Sequence, residues 1–190
     1  MITEVEHRRA RFEEEAMPHV RALVRTAARL CRNLETAEDL VQETMLRAWK
    51  SFEQYRPQTN CKAWLFAILL NLWSEQRRRR WVRDEMTAQD ESLLEEQAVP
   101  AKSDDQVFLH EVLACIDNLP EDQRCVLLLS VVEGLAVREI AEILKVPMGT
   151  VMSRLGRARA VLRQCLYPCP APPRIHREPR PCDAMKLKGS

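Results

Sequence analysis

Residues 137–163, VREIAEILKVPMGTVMSRLGRARAVLR, constrain the fold of this chain more than any other stretch. Ile140, Ala141, Ile143 and Leu144 give a short helix an apolar face at helical spacing. Small Ala141 stands where two helices would cross closely. Lys145-Val146-Pro147 then interrupts the pattern, because the residue before a proline is pushed out of the helical region. A second helix starts near Met148 or Gly149, with Val151, Leu155, Ala158 and Leu162 inward. Its other face carries Thr150, Ser153, Arg154, Arg157 and Arg159. From Lys145 to Arg163 there are five basic residues and no acidic one. A solvated helical hairpin has such a charge pattern, but so does a recognition helix that reads base edges and holds phosphates.

The longer run LPEDQRCVLLLSVVEGLAVREIAEILKVPMGTVMSRLGRARAVLR closely resembles region 4 of bacterial RNA polymerase sigma factors, in particular the small extracytoplasmic-function (ECF) group. LPEDQR, the EGL before the first short helix, and P-x-G-T-V-x-S-R-L-x-R-A-R carry the likeness together. It implies that Thr150, Ser153, Arg154, Arg157 and Arg159 bind the duplex minus-35 element. The departures are local. Lys145 replaces a common glycine in the turn, where a left-handed backbone costs ~1–2 kcal/mol. Met152 replaces a usual lysine, and Gly156 inside the helix costs ~1 kcal/mol relative to alanine.

Net charge is +1 over 190 residues, but the charges are segregated. Residues 1–83 hold 16 basic and 11 acidic residues, residues 84–122 one and 12, and residues 123–190 12 and five. Two cationic lobes separated by an anionic connector favour nucleic acid as a partner. Long periodic segments, four glycines and no strand alternation predict an all-α chain. It should form two small helical domains joined by an acidic flexible linker. No apolar run approaches the ~18–20 residues of a membrane span. The charged start MITEVEHRRARFEEE lacks the apolar core of a signal peptide, so the expected location is the cytoplasm. Cys31, Cys61, Cys115 and Cys125 are scattered singly and are expected to be small core hydrophobes rather than disulfide halves.

Along the first lobe, residues 6–31 read as one amphipathic helix or two joined pieces, with Pro18 at a break or first turn. Phe12, Met17, Val20, Leu23, Val24, Ala27 and Leu30 face inward. Thr36 and Asp39 resemble a capping box for the next helix. That helix should bury Leu40, Val41, Thr44, Met45, Ala48, Trp49 and Phe52, leaving Glu38, Asp39, Gln42, Glu43 and Arg47 on a polar face. The run AEDLVQETMLRAWKSF is similar to the part of sigma region 2 that docks on the clamp helices of the polymerase largest subunit. Asp39, Gln42, Glu43 and Arg47 would by that likeness be polymerase contacts, with the flap as a further contact of the whole factor.

After the turn-rich loop YRPQTNC a long helix begins, whose end carries Arg77, Arg78, Arg79, Arg80 and Arg83. Arginines there suit the helix dipole. Beside Trp73 and Trp81 they also describe a surface for single-stranded nucleic acid, where stacking is worth ~1–3 kcal/mol per base. YRPQTNCKAWLFAILLNLWSEQRRRR resembles the sigma segment that captures an unstacked minus-10 base. The resemblance makes Asn60, Lys62, Trp64, Asn71, Arg77, Arg78, Arg79 and Arg80 minus-10 candidates. Asn71 leads them, since an amide offers donor and acceptor on one plane.

The expected division is residues 1–83, a region 2-like domain; 84–104, the acidic linker; 105–166, a region 4-like domain; and 167–190, a disordered tail with six prolines. The second domain should open with Val107, Leu109, Val112, Leu113 and Ile116 inward, then break at Asn118-Leu119-Pro120 before a helix from 121 to 133. Cys165, Cys169, His176 and Cys182 fit no compact zinc spacing, so no metal is expected. No cofactor or catalytic activity is expected either: there is no G-x-x-x-x-G-K-[ST] phosphate loop for nucleotide hydrolysis, and a metal-dependent enzyme would need clustered His and carboxylate ligands that the sequence lacks outside the tail. The partners implied by the resemblance are core RNA polymerase and promoter DNA, and it also admits an anti-sigma factor. The competing reading is a free-standing helix-turn-helix regulator that binds duplex DNA as a dimer. Its weakness is the LVQET helix, because such a regulator needs no polymerase-docking face.

Overall fold

The structure is a computed structural model that describes residues 4–56, 59–84 and 104–167. The expectations for the acidic linker, including a short helix at ESLLEEQ, and for the proline-rich tail lie outside these residues. Helix is the regular structure throughout the described residues, in line with the all-α expectation.

The first lobe comprises α1 (Glu4–Glu15), α2 (Val20–Cys31), α3 (Leu34–Ser51) and α4 (Cys61–Asp84). Pro18 sits in a tight 3-10 turn, Met17–His19, which splits α1 from α2. Met17, expected inward, is 50% exposed, because the turn rotates it off the helical face. Helix α2 ends at Arg32 in a left-handed conformation, φ 55°. The next helix is capped earlier than the capping-box reading had it: the Asn33 side chain accepts a hydrogen bond from Thr36 N at 2.9 Å. Within α3, Leu40, Val41, Thr44 and Ala48 are buried as the periodicity requires. Buried Thr44 is satisfied by donating its hydroxyl to Leu40 O at 2.7 Å. An aromatic cluster closes the lobe. Phe12 meets Trp49 and Phe52 edge-on at 5.2 and 5.1 Å, and Tyr55 tilts onto Trp64 at 4.9 Å.

The second lobe holds α5 (Asp104–Asp117), α6 (Glu121–Leu127), α7 (Val137–Leu144) and α8 (Met148–Leu166). The helix expected over 121–133 loses α-helical regularity after Leu127. Residues Leu128–Val132 form a wider π-type turn, and Glu133 N donates to Leu128 O at 3.0 Å. Gly134 then takes φ 70°, a conformation that suits glycine, and turns the chain towards α7. Lys145 adopts the left-handed turn conformation, φ 55°. Val151, Leu155 and Ala158 are buried beneath α8, and Ile140 and Ala141 receive them on α7, as the helix-turn-helix pattern requires. Two expectations fail at α5. Val107 and Leu109 are 44% and 56% exposed, because only the C-terminal half of α5 packs, through Cys115 and Ile116. Cys115 is also not a lone core thiol, since it is disulfide-bonded to Cys165. Cys61 and Cys125 are buried free thiols, as expected.

The lobes pack directly on each other, α4 against α7 and α2 against α6. Across that interface Arg25, Thr26, Arg29, Arg32, Asn60, Lys62 and Arg77 of the first lobe all meet oxygen acceptors of the second. Arg29 Nη1 lies 2.5 Å from Asp117 Oδ2, and Arg32 Nη2 donates to Asp117 O at 2.6 Å. Arg77 pairs with Glu121 at 2.5 Å.

Candidate nucleic-acid interface

Helix α3 presents Asp39, Gln42, Glu43 and Leu46 at spacings of three, one and three, a single outward stripe. Asp39 and Gln42 are exposed. Glu43 accepts from Arg47 Nε at 2.9 Å, and Arg47 also lies 3.6 Å from Glu75. Leu46 is 54% exposed in the middle of these polar groups. The sequence reading passed over it, although a leucine left out of the inward set of α3 was the available signal. An exposed leucine ringed by charges has the chemistry of a protein-docking face.

The minus-10 candidates divide into two sets. Asn71 is exposed, and no hydrogen bond holds its amide among the described residues; Leu70 beside it is buried. Arg78 and Arg79 are also exposed on the same helix. Trp64 is half-buried in the aromatic cluster. The remaining side chains are engaged by the second lobe. Asn60 caps α4 by accepting from Ala63 N at 3.1 Å, and its Nδ2 donates to Glu139 Oε1 at 2.6 Å. The other Glu139 oxygen accepts from Ala136 N at 2.8 Å, so one carboxylate caps α7 and holds Asn60. Arg77 lies over the Trp73 ring at 5.4 Å besides pairing with Glu121. The Arg80 and Trp81 side chains lie outside the described set.

Lys62 leads to a carboxylate buried between the lobes. Its Nζ donates to Glu133 O at 2.6 Å and lies 2.8 Å from Glu133 Oε2. Oε1 of the same carboxylate accepts from Arg25 Nη2 and Thr26 Oγ1, both at 2.8 Å. The Glu133 side chain is fully buried. Burial alone would raise its pKa, but the hydrogen bonds from Lys62, Arg25 and Thr26 outweigh it and hold the carboxyl below its ordinary value. Nearby His19 is pushed below its ordinary value by burial and by the Lys62 ammonium.

On α8 the expected recognition residues lie on its outward side. Ser153, Arg157 and Arg159 are exposed and Thr150 is half-buried. Ser153 Oγ donates back to Thr150 O at 3.0 Å. Arg154 Nη2 is held by Asp122 Oδ2 at 2.7 Å, a contact unseen in the sequence. Arg77 of α4 lines the same open cleft as Thr150, Ser153, Arg154 and Arg157, a space of about 500 Å³. Candidates for two different DNA elements therefore face one cleft.

The helix-turn-helix of α7 and α8 and the arginine-rich end of α4 have the architecture of a DNA-binding protein. The sigma-70 region 2 family matches residues 16–83, and the sigma-70 region 4 family matches residues 109–162. ECF RNA polymerase sigma factor EcfG of Rhodopseudomonas palustris is 37% identical over 80% of this chain and 81% of its own length. ECF sigma factor SigE of Mycolicibacterium smegmatis is 36% identical over 82% of this chain, which spans 61% of SigE. Sigma factor RpoE of Bartonella quintana, solved with the anti-sigma factor NepR, superposes with a TM-score of 0.71 at 31% identity. That match covers 82% of this chain and 96% of RpoE. The chain belongs to the ECF group of RNA polymerase sigma factors.

Proposed function

We propose that this sigma factor acts in the cytoplasm as a dissociable promoter-specificity subunit of core RNA polymerase, with no catalytic chemistry of its own. Residues 1–83 are the polymerase- and minus-10-binding domain, 84–104 the connector, and 105–166 the minus-35-binding domain. Asp39, Gln42, Glu43 and Arg47, joined by Leu46, dock on the clamp helices of the largest subunit, and the factor also meets the flap. Asn60, Lys62, Trp64, Asn71 and the arginines from 77 to 80 receive the melted minus-10 strand, with Asn71 reading the extruded base. Thr150, Ser153, Arg154, Arg157 and Arg159 hold the minus-35 duplex. Opening is driven by capture of unpaired bases, without nucleotide hydrolysis. An anti-sigma factor, of the kind seen with the Bartonella relative, is a further partner.

The observation that carries this reading is the α3 stripe, an exposed leucine among acidic and amide groups that a free-standing regulator would have no use for. Geometry adds a condition. The two promoter elements lie about 25 base pairs apart, ~85 Å along the duplex. Arg77 and Arg154 line a single cleft, so the lobes must part to reach both elements. The 19 residues between the described lobes span at most ~65 Å when extended. The test is Asp39→Arg, a charge reversal at an exposed position. It should abolish co-purification with core polymerase and runoff transcription while leaving the melting curve unchanged. Normal co-purification of this variant would refute the docking assignment.

A further inference from the structure

Cys115 stands near the end of α5 and Cys165 near the end of α8, and the two are joined by a disulfide with a Cα–Cα distance of 6.3 Å. That distance lies within the range a disulfide accepts without backbone movement. The bond closes a sequence separation of 50 residues, so α6, the π-type turn, α7 and nearly all of α8 lie inside one covalent ring. The ring therefore encloses the entire helix-turn-helix. Its two cysteines differ in exposure. Cys115 is buried, whereas Cys165 belongs to an exposed residue on the last turn of α8.

The other cysteines contrast with this pair. Cys61 and Cys125 are buried thiols, pushed up by burial to about 11 and about 12. Neither supplies a thiolate at neutral pH, and the thiolate is the form that reacts with oxidants. Cys125, although inside the ring, is therefore a packing residue. An exposed cysteine bonded to a buried one has the arrangement of a reactive and a resolving cysteine.

We propose that Cys115 and Cys165 form a reversible thiol–disulfide modification site, which fastens α5 to the end of the recognition helix when oxidised and releases it when reduced. The oxidant is a peroxide. The Cys165 thiolate attacks one peroxide oxygen and becomes a sulfenic acid, and the other oxygen leaves as water after taking a proton. The Cys115 sulfur then displaces the sulfenic oxygen as a second water, forming the S–S bond. Two thiols thus give up two protons and two electrons, and hydrogen peroxide becomes two waters. A dithiol reductant reverses the step: it attacks the accessible Cys165 sulfur, expels the Cys115 thiolate, and closes its own disulfide. The tether has reach beyond its own domain. Asp117, two residues after Cys115, accepts contacts from Arg29 and Arg32 of the first lobe. Oxidation thus fixes the end of α8 to the strip of α5 on which the first lobe rests.

The experiment uses the full chain, treated with hydrogen peroxide or with dithiothreitol, then alkylated and mapped by peptide mass. The peroxide-treated protein should protect Cys115 and Cys165 as a linked peptide pair. Dithiothreitol should expose both, and fresh peroxide should restore the link. Reduction should lower the Tm of the wild type by ~5 °C or more, a loss expected for a ring of this size. Cys165→Ser, an exposed change that leaves the buried partner in place, should melt at the reduced wild-type temperature under both treatments. The proposal is overturned by a peroxide link from Cys165 to Cys169 or Cys182 in place of Cys115. It is equally overturned by a Cys115–Cys165 bond that dithiothreitol leaves intact in the folded protein, or by redox-independent melting of the wild type.

Discussion

Replacing Glu133 with glutamine tests how the two lobes are held together. The side chain is fully buried and contacts three groups of the first lobe. Glutamine keeps the shape and one acceptor oxygen, but it loses the charge and turns an amide donor towards Lys62 or Arg25. Lys62 is 23% exposed, so its charge-assisted contact is shielded from water and is worth ~1.5–3 kcal/mol. Arg25 is 56% exposed, and its share falls to a few tenths of a kcal/mol. Relief of carboxylate desolvation offsets part of the loss, leaving ~2 kcal/mol, or roughly a 30-fold shift towards separated lobes. Small-angle scattering should show a larger radius of gyration for Glu133→Gln than for the wild type. Far-UV circular dichroism should be unchanged, because the change leaves the helices of each lobe in place. Acid should produce the same opening in the wild type. A carboxyl held below its ordinary value contributes fully above about pH 4.3 and loses that contribution as pH falls through its folded-state value. A Glu133→Gln protein with the wild-type radius, and wild-type compactness that ignores Glu133 in acid, would refute the reasoning.

Arg154→Ala should weaken minus-35 duplex binding by ~1–3 kcal/mol at one base position, and Asp122→Asn, which frees Arg154, should strengthen it; competition titrations against random duplex measure both. Equal loss on specific and random duplex for Arg154→Ala would mean a phosphate contact alone. Gly156→Ala should raise stability by up to ~1 kcal/mol in thermal melts, since a Cβ there meets open space. Asn71→Ala should leave the Tm unchanged, because the exposed amide supports nothing in the bundle, while permanganate footprinting shows impaired opening of a duplex promoter. A drop in Tm with equal loss of activity on duplex and pre-melted templates would make Asn71 a structural residue.

The helix-turn-helix was legible in the sequence because its information is local. Apolar spacing sets the two faces, Pro147 ends the turn, and the buried set Ile140, Ala141, Val151, Leu155 and Ala158 follows from periodicity alone. The same logic placed Leu40, Val41, Thr44 and Ala48 beneath α3. It failed where end effects decide. Thr36 had a plausible capping partner in Asp39, but Asn33 comes first in the chain and its side chain reaches Thr36 N. Val107 and Leu109 have helical spacing, yet among the described residues no neighbour covers them and both stay exposed. Periodicity says which side of a helix is apolar, and it cannot say whether a neighbour arrives to cover it.

The interface between the lobes was illegible for a related reason. Summed over residues 1–83 and 123–190 both halves are cationic, and two cationic bodies are expected to repel, but the folded second lobe also takes in the acidic residues from 104 to 122. Repulsion, however, depends on the charges that face each other. The second lobe turns Asp117, Glu121, Glu133 and Glu139 towards the first, and its arginines Arg157 and Arg159 lie exposed on α8. Those four carboxylates are spread over 23 positions and three structural contexts: the end of α5, the first turn of α6, and either side of the Gly134 turn. Only the fold collects them on one face. What they meet there includes Asn60, Lys62 and Arg77, residues whose types also suit DNA. A phosphate backbone and this carboxylate face are both arrays of anionic oxygens, so the chemistry that fits the first lobe to DNA also fits it to the second lobe. On the proposed assignment of Asn60, Lys62 and Arg77 to the minus-10 strand, each of their contacts to the second lobe competes with a contact to promoter DNA, and the free energy holding the lobes together, to which Glu133 contributes, is subtracted from that of promoter binding.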